Sequence, residues 1–377
     1  MYNVKKVIIY IVLQIYKRGI NVINLSILEE LSNSFGPSGF EDDVTKIIQK
    51  HCREMDVNID AMNNVYVELK NNNKKRPIIM LDAHTDEVGF MVQAINENGL
   101  LSIVQLGGWH ITNIPAHTVY IKNRDGKLIK GITTSKPVHF MTASERANNT
   151  LEIEDIYVDV GATSKDEVVN TFNIRVGDPI APKVEFDYNK ELEVCYGKAF
   201  DNRVGCFCII ETLKLLSREK DLGFDIIGAF AAQEEVGTRG AQITSQVVKP
   251  DLAIVFEGSP ADDLYYSKGI AQSVLKNGTQ IRNLDQGYIG NYKFIRYAED
   301  IAEEKHIKFQ NAVRRGGSTN AAKISLFNKA VPVLVLGIPS RYVHSHYNFC
   351  AKADIEATVK LAYEIIVSLK DNINKIL

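Results

Sequence analysis

Residues 225–240 read DIIGAFAAQEEVGTRG. The first eight form an apolar run of strand length, too short for a helix, that ends abruptly in charge. A strand buried on both faces reads this way, and such strands belong to parallel sheets covered by helices. The other eight hold two adjacent carboxylates, Glu234 and Glu235, followed by glycines. Adjacent glutamates are ordinarily solvated surface. At the carboxyl end of a buried strand, where open α/β sheets gather their functional groups, one can bind a metal while the other handles a proton.

The same texture recurs on either side. RPIIMLDAHTD (76–86), DLAIVFEG (251–258) and VPVLVLG (331–337) are short apolar runs closing in polar or turn residues. Helical patterns lie between them, from Asn202, from about Tyr292 to His306, and from Asp354. Ser26 with Glu29, and Ser38 with Glu41, have capping-box spacing. Behind the second pair, Val44, Ile47, Ile48, Cys52 and Met55 recur at helical intervals. This alternation predicts an α/β fold with a mixed, largely parallel sheet flanked by helices.

Between residues 88 and 182 the pattern changes to short alternating runs, TVYIKN (118–123), GKLIKGITT (126–134) and LEIEDIYVDVG (151–161), cut by Gly, Asn and Asp turns. A small inserted β domain, barrel-like, is the expectation. Residues 26–87 and 183–377 then form one α/β domain built from both ends of the chain, and residues 1–25 are an extension. In that extension VIIYIVLQIY (7–16) lies between basic pairs like a signal sequence. About ten apolar residues cannot cross a bilayer as a helix, and an amphipathic or buried extension is expected.

With 377 residues, more than one core is the natural prior. A net charge of -2 with no long basic run argues against nucleic acid as a partner. The five cysteines, Cys52, Cys195, Cys206, Cys208 and Cys350, are scattered without a C-x-x-C, which argues against a zinc knuckle and points to a reducing cytoplasm. Cys206 and its neighbours read as helix core. No phosphate-binding glycine loop and no G-x-S-x-G elbow occurs.

Strand ends carry the candidate ligands. His84 and Asp86 follow IIML, Glu234 and Glu235 follow IIGAFAA, Glu257 follows LAIVF, and His344 lies after VPVLVLG; Asp201 opens a helix. Imidazoles and carboxylates together suit zinc, cobalt or manganese. One ion would not use them all, and a carboxylate-bridged pair is a recurring hydrolytic device, with Asp201 as the bridge. Of the remaining histidines, His51, His110, His117 and His306 read as structural or surface groups. His139, after SKP, is a weaker candidate for the site, and His346 competes with His344.

In order along the chain, AHTDEVGF (83–90), TTSKP (133–137), VDVGATS (158–164), GKAFDNRVG (197–205), QEEVGTRGA (233–241), FEGSPADD (256–263) and RYVHS (341–345) resemble the M42 metallopeptidases, the tetrahedral aminopeptidases of the MH clan. The resemblance runs from about Leu25 to the carboxyl terminus. It implies two divalent ions per chain, one held by His84, Asp201 and Glu257, the other by Asp201, Glu235 and His344. It also implies Glu234 as general base, acting on a metal-bridged water. Asp86 would fix the tautomer of His84. Peptide substrates, and a homo-oligomer of dimers built into a twelve-subunit shell through the inserted domain, follow from the same resemblance.

The chain departs from the family at Glu257, where aspartate is common. Asp262 and Asp263 are the alternatives there. The loop GGSTNAA (316–322) replaces a GGTDA-like one and reads equally as a helix cap or a substrate-facing loop. Competing functions are an amidohydrolase or deacylase of acylated amino acids, and a catalytically silent assembled binding scaffold. A glycosidase would use a carboxylate pair without metal.

Overall fold

The computed structural model describes residues 23–148 and 150–377. The expected amino-terminal extension, except for its last three residues, lies outside the described residues, and so does its apolar stretch.

Four strands make the parallel centre of the α/β half. They are β1 (Ile78–His84), β2 (Asp225–Ala231), β3 (Leu252–Pro260) and β4 (Val333–Arg341). In space they run β2, β1, β3, β4, each parallel to its neighbour. Antiparallel strands extend both sides of this centre into a mixed sheet of eleven strands among the described residues. Two of these additions, Thr279–Leu284 and Phe309–Val313, and the strand Asn348–Ala351, are not legible as strands in the sequence.

Side chains alternate across the sheet as the period of two requires. Ile79, Leu81, Ile226, Phe230, Ile254 and Phe256 enter one apolar layer, where helix α1 (Phe200–Leu216) contributes Val204, Phe207 and Leu213. Met80, Ile227, Ala229, Ala253 and Val255 enter the layer on the opposite face. Burying each large aliphatic or aromatic side chain stabilises the fold by about 1.5–3 kcal/mol. Because all four strands run the same way, their carboxyl ends converge on one edge. His84 ends β1, Glu234 and Glu235 follow β2, Glu257 lies in β3, and His344 follows β4.

The inserted segment closes into a six-stranded antiparallel barrel whose strands run from Gly89–Ile95 to Pro179–Pro182. Closure leaves no free sheet edge within it. Phe90, Val92, Ile103, Val119, Ile121, Val158 and Ile180 fill its interior. The run LEIEDIYVDVG gives only a short strand, Tyr157–Asp159, after a 3-10 turn, and a short helix, Ala143–Asn148, adds structure the alternating pattern does not suggest.

Neither expected capping box forms. Asn24 caps the first described helix, Leu25–Asn33, by accepting the Ser26 N–H at 3.1 Å. The next helix begins at Asp42, and the side chains of Ser38 and Glu41 are engaged elsewhere. A cap is worth about 1 kcal/mol, and tertiary partners outweigh it here.

Candidate metal centre

Asp201 sits at the start of α1, where the backbone has not yet become helical: its φ and ψ are -84° and 104°. Its two oxygens face two imidazoles. Oδ1 lies 2.9 Å from His84 Nε2, and Oδ2 lies 3.5 Å from His344 Nε2. Around His84 Nε2 stand Glu257 Oε1 at 3.8 Å and Glu234 Oε2 at 3.9 Å. Beside His344 Nε2 stands Glu235 Oε2 at 3.2 Å. Two donor groups therefore share one carboxylate. Ligand atoms of His84, Asp201 and Glu235 all lie within 4.8 Å of one another.

His84 is turned by its other nitrogen. Nδ1 is 3.2 Å from the Asp86 carbonyl and 3.3 Å from Asp86 Oδ1. Asp86 is fully buried and also accepts the N–H groups of Glu234 and Glu235, at 2.9 and 3.1 Å, and the Ser38 hydroxyl at 2.6 Å. It thus ties the ends of β1 and β2 together.

The electrostatics are those of acids crowded out of water. Burial, then the repulsion of Glu235, Glu257 and Asp201, raises Glu234 well above the usual carboxylate range, with His84 opposing. Burial and Asp201 raise Glu257 to about 8. Glu235 is raised by burial and by Asp201. Burial also acts upward on Asp201, but hydrogen bonds with His344 and His84 outweigh it and hold that carboxyl low. Burial alone would depress both imidazoles; the carboxylates reverse this, lifting His84 well above its ordinary value and His344 to about 11. Glu235 Oε1 is buried with no hydrogen-bond partner among the described residues. A set of four carboxylates and two imidazoles, with one oxygen unclaimed, fits divalent cations.

The competing residues are placed elsewhere. Asp262 accepts from the Gln272 and Ser273 amides and pairs with Arg314 at 3.0 Å, and Asp263 pairs with Arg341 at 2.7 Å. His346 is buried against His117 and Trp109, with ring centroids 4.2 and 5.0 Å away. His139 is exposed on a turn of the barrel. His51 meets Glu30 at 3.0 Å, and His110 meets Thr112 at 2.7 Å. All five cysteines are buried and unpaired. In GGSTNAA, Gly316 to Ser318 line a cavity that also borders Asp201 and His344, while Asn320 turns inward to donate to Asp82 at 2.7 Å without capping the helix that follows.

Several contributors have supporting places that the sequence does not reveal. Gly107 and Gly108, from the barrel, border the site: a Cβ on Gly107 would stand 3.1 Å from Glu235 Cβ, and one on Gly108 would stand 3.3 Å from His344 Nδ1. Lys198 Nζ meets both oxygens of buried Glu87 at 2.6 and 2.7 Å. Arg203, fully buried, donates to the carbonyls of Thr85, Leu31 and Gly36, fastening α1 to the loop after β1. Ala199, Gln233 and His344 all have left-handed backbone, with φ of 55°, 55° and 60°. Such conformations are unfavourable for non-glycine residues and gather at functional sites.

The ligand set opens into a cavity of about 1160 Å³, whose outer wall includes Tyr266, Ile270, Val313, Arg314 and Arg315. A cleft of about 920 Å³, rimmed by Lys50, Arg53, Lys70 and Lys220, shares none of its lining.

The model of the family described as M42 glutamyl aminopeptidase matches residues 63–361. The chain belongs to the M42 peptidase family. This M42 chain is 32% identical over 334 residues to the glutamyl aminopeptidase of Lactococcus lactis subsp. cremoris, covering 88% of itself and 92% of that protein. Its fold matches the TET aminopeptidase of Thaumarchaeota archaeon SCGC AB-539-E09 with a TM-score of 0.87 and 33% identity, over 92% of this chain and 96% of that one. It also matches the TET1 peptidase of Pyrococcus horikoshii, which can assemble into a tetrahedron or a large octahedral shell, with a TM-score of 0.79 and 26% identity over 90% and 98% of the two chains. Among the described residues of this M42 protein, no helix is long and apolar enough to cross a membrane.

Proposed function

We propose that this chain is a dinuclear metal-dependent aminopeptidase that removes the first residue of peptides. The observation that carries the reading is the division of Asp201, with one oxygen toward His84 and the other toward His344. His84, Asp201 and Glu257 would hold one divalent ion, and Asp201, Glu235 and His344 the other, zinc or cobalt before manganese. When bound, such ions lower the pKa of water toward neutrality and polarise a carbonyl. Glu234 is the general base. Its carboxyl is raised by burial and neighbouring acids, so it can accept a proton from the attacking water and return it to the leaving amine. Asp86 holds His84 in one tautomer and the two glutamates in register. Glu257 stands where aspartate is common in the family, and its Oε2 lies 3.4 Å from Asn202 Nδ2, which steadies the longer arm.

The cavity wall suggests the substrate. Arg314 is held by Asp262, whereas Arg315 is exposed at the rim of the cavity on the loop before Gly316. A cation there favours an acidic first residue, in keeping with the activity for which the Lactococcus relative is named. Residues 26–87 and 183–377 would form the catalytic domain. The insertion 88–182 would be the dimerisation domain of a homo-oligomer like the shells of the TET relative, acting in the cytoplasm.

The test is removal of metal by a chelator, reloading with zinc, cobalt or manganese, and assay on aminoacyl anilides beside acylated amino acids. Activity that vanishes and returns on the anilides supports the reading. Full activity after chelation, or turnover of acylated amino acids alone, would sink it. Light scattering reads the assembly, and a stable monomer would count against the shell.

A further inference from the structure

The turn that carries the two glutamates is held from outside its own strand. Four successive backbone N–H groups after β2 end on side chains from the amino-terminal part of the chain. Ala232 donates to Asn64 Oδ1 at 2.8 Å, Gln233 to Glu41 Oε1 at 3.1 Å, and Glu234 and Glu235 to Asp86 at 2.9 and 3.1 Å. Asn64, Glu41 and Asp86 are all fully buried. Gln233, in the middle, has a φ of 55°, a conformation that a non-glycine residue keeps only when its surroundings enforce it.

Glu41 is the member whose presence local structure does not explain. It precedes the helix Asp42–His51 yet makes no side-chain cap to it. Its Oε1 accepts the Gly39 N–H at 2.7 Å together with the Gln233 N–H, while Oε2 is buried with no partner among the described residues. A buried carboxyl with half its capacity unused is costly, so packing alone does not account for it.

We infer that Glu41 is a positioning residue of the metal centre: by gripping the Gln233 amide it enforces the turn that aims Glu234 and Glu235 at the ions. Ser38 assists, because its hydroxyl fixes the Asp86 carboxylate that receives the next two amides. The inference rests on the dinuclear reading above. It extends that reading to residues that touch neither ion nor substrate.

The test compares Glu41→Ala and Glu41→Gln with the unmodified chain by two readouts. Cobalt titration followed by visible absorption reports the site without turnover, and kcat and KM are measured per folded chain. Glu41→Ala is expected to weaken cobalt binding about 10–100-fold, as loss of an outer support of a ligand does. It is expected to lower kcat about 100-fold with little change in KM, as a misplaced base does. Glu41→Gln keeps an oxygen able to accept both N–H groups and should restore most of each. A Glu41→Ala chain that merely melts at lower temperature, with cobalt affinity and kcat intact, would overturn the inference. Should that variant not fold, Glu41→Asp, one methylene shorter, carries the same test, and wild-type cobalt affinity in it overturns the inference. An unmodified chain that binds cobalt but cleaves no peptide would defeat the proposed reaction while the cobalt titration still judges Glu41.

Discussion

The inserted barrel and the carboxyl edge of the central sheet are both buried, but they bury opposite things. Inside the barrel stand Phe90, Val92, Val119, Ile121, Val158 and Ile180, and the polar groups buried along its segment are few, Asn123, Thr133 and Asp178 among them. At the sheet edge, Asp82, His84, Asp86, Glu87, Lys198, Arg203 and Glu257 lie on adjacent strands, loops and the start of α1, each under a tenth exposed. The barrel follows the rule that cores are apolar; the sheet edge breaks it repeatedly with buried charge. Violations concentrated in one place mark where stability has been given up for chemistry.

The largest break in the comparison should come from Glu234→Gln. It removes the base without changing shape, so turnover is expected to fall about 10²–10⁴-fold while metal content, read by elemental analysis, stays at the unmodified level; undiminished activity would reject the assignment. Ile121→Ala works on the opposite region. It should cost about 2–5 kcal/mol of stability, read by urea unfolding through Trp109, the single tryptophan, which sits in the barrel core. The folded fraction should keep its metal affinity, and a barrel substitution that abolished metal binding would show the two regions are not separable.

Gly107 is where the regions touch. Its φ of 84°, and the 2.7 Å that would separate a Cβ there from Val88 Cγ1, leave no room for a side chain. Gly107→Ala should lower kcat/KM about 10-fold by pushing on Glu235, since small misplacements at a reacting centre slow it steeply. Arg315→Ser should cut the preference for an acidic over a neutral first residue about 10-fold, as loss of one charged contact does. A preference left untouched would take Arg315 out of the substrate's path.

The smallest effect at neutral pH concerns His346, between barrel and sheet. Burial and His117 lower its pKa to about 3. Below the ordinary pKa of 6.5 the unfolded chain binds a proton that the folded one refuses. Stability from this group is therefore whole above that value and lost as pH falls toward 3, by at most about 1.4 kcal/mol per pH unit. His346→Phe keeps a ring against Trp109 and should flatten that slope in acid melts; an unchanged slope assigns the acid sensitivity to other groups.

Legibility in the sequence follows locality. The central strands, α1 and the closing helix, Lys352–Leu369, declare themselves because apolar runs and periodicity are local properties. The strands Thr279–Leu284, Phe309–Val313 and Asn348–Ala351 do not, being short and half polar, and they exist because neighbouring strands pair with them. The capping spacing of Ser38 and Glu41 does mark polar chemistry just before a helix, but with different partners from those a capping box would supply. Which group a side chain meets depends on what the fold brings near, and here Asp86 and Gln233, far along the chain, are nearer than the helix end.

By itself the sequence determined the α/β class, the inserted β segment, the family, and the identity of the acids and imidazoles at the strand ends, because residue type and order carry those facts. Only the tertiary structure decided how those groups face one another. The division of Asp201 between two imidazoles, the dismissal of Asp262 and Asp263 into arginine pairs, and the recruitment of Glu41 and Gly107 all depend on distances between residues far apart in the chain. The groups at the strand ends meet because the four central strands run parallel in register, which no local pattern encodes.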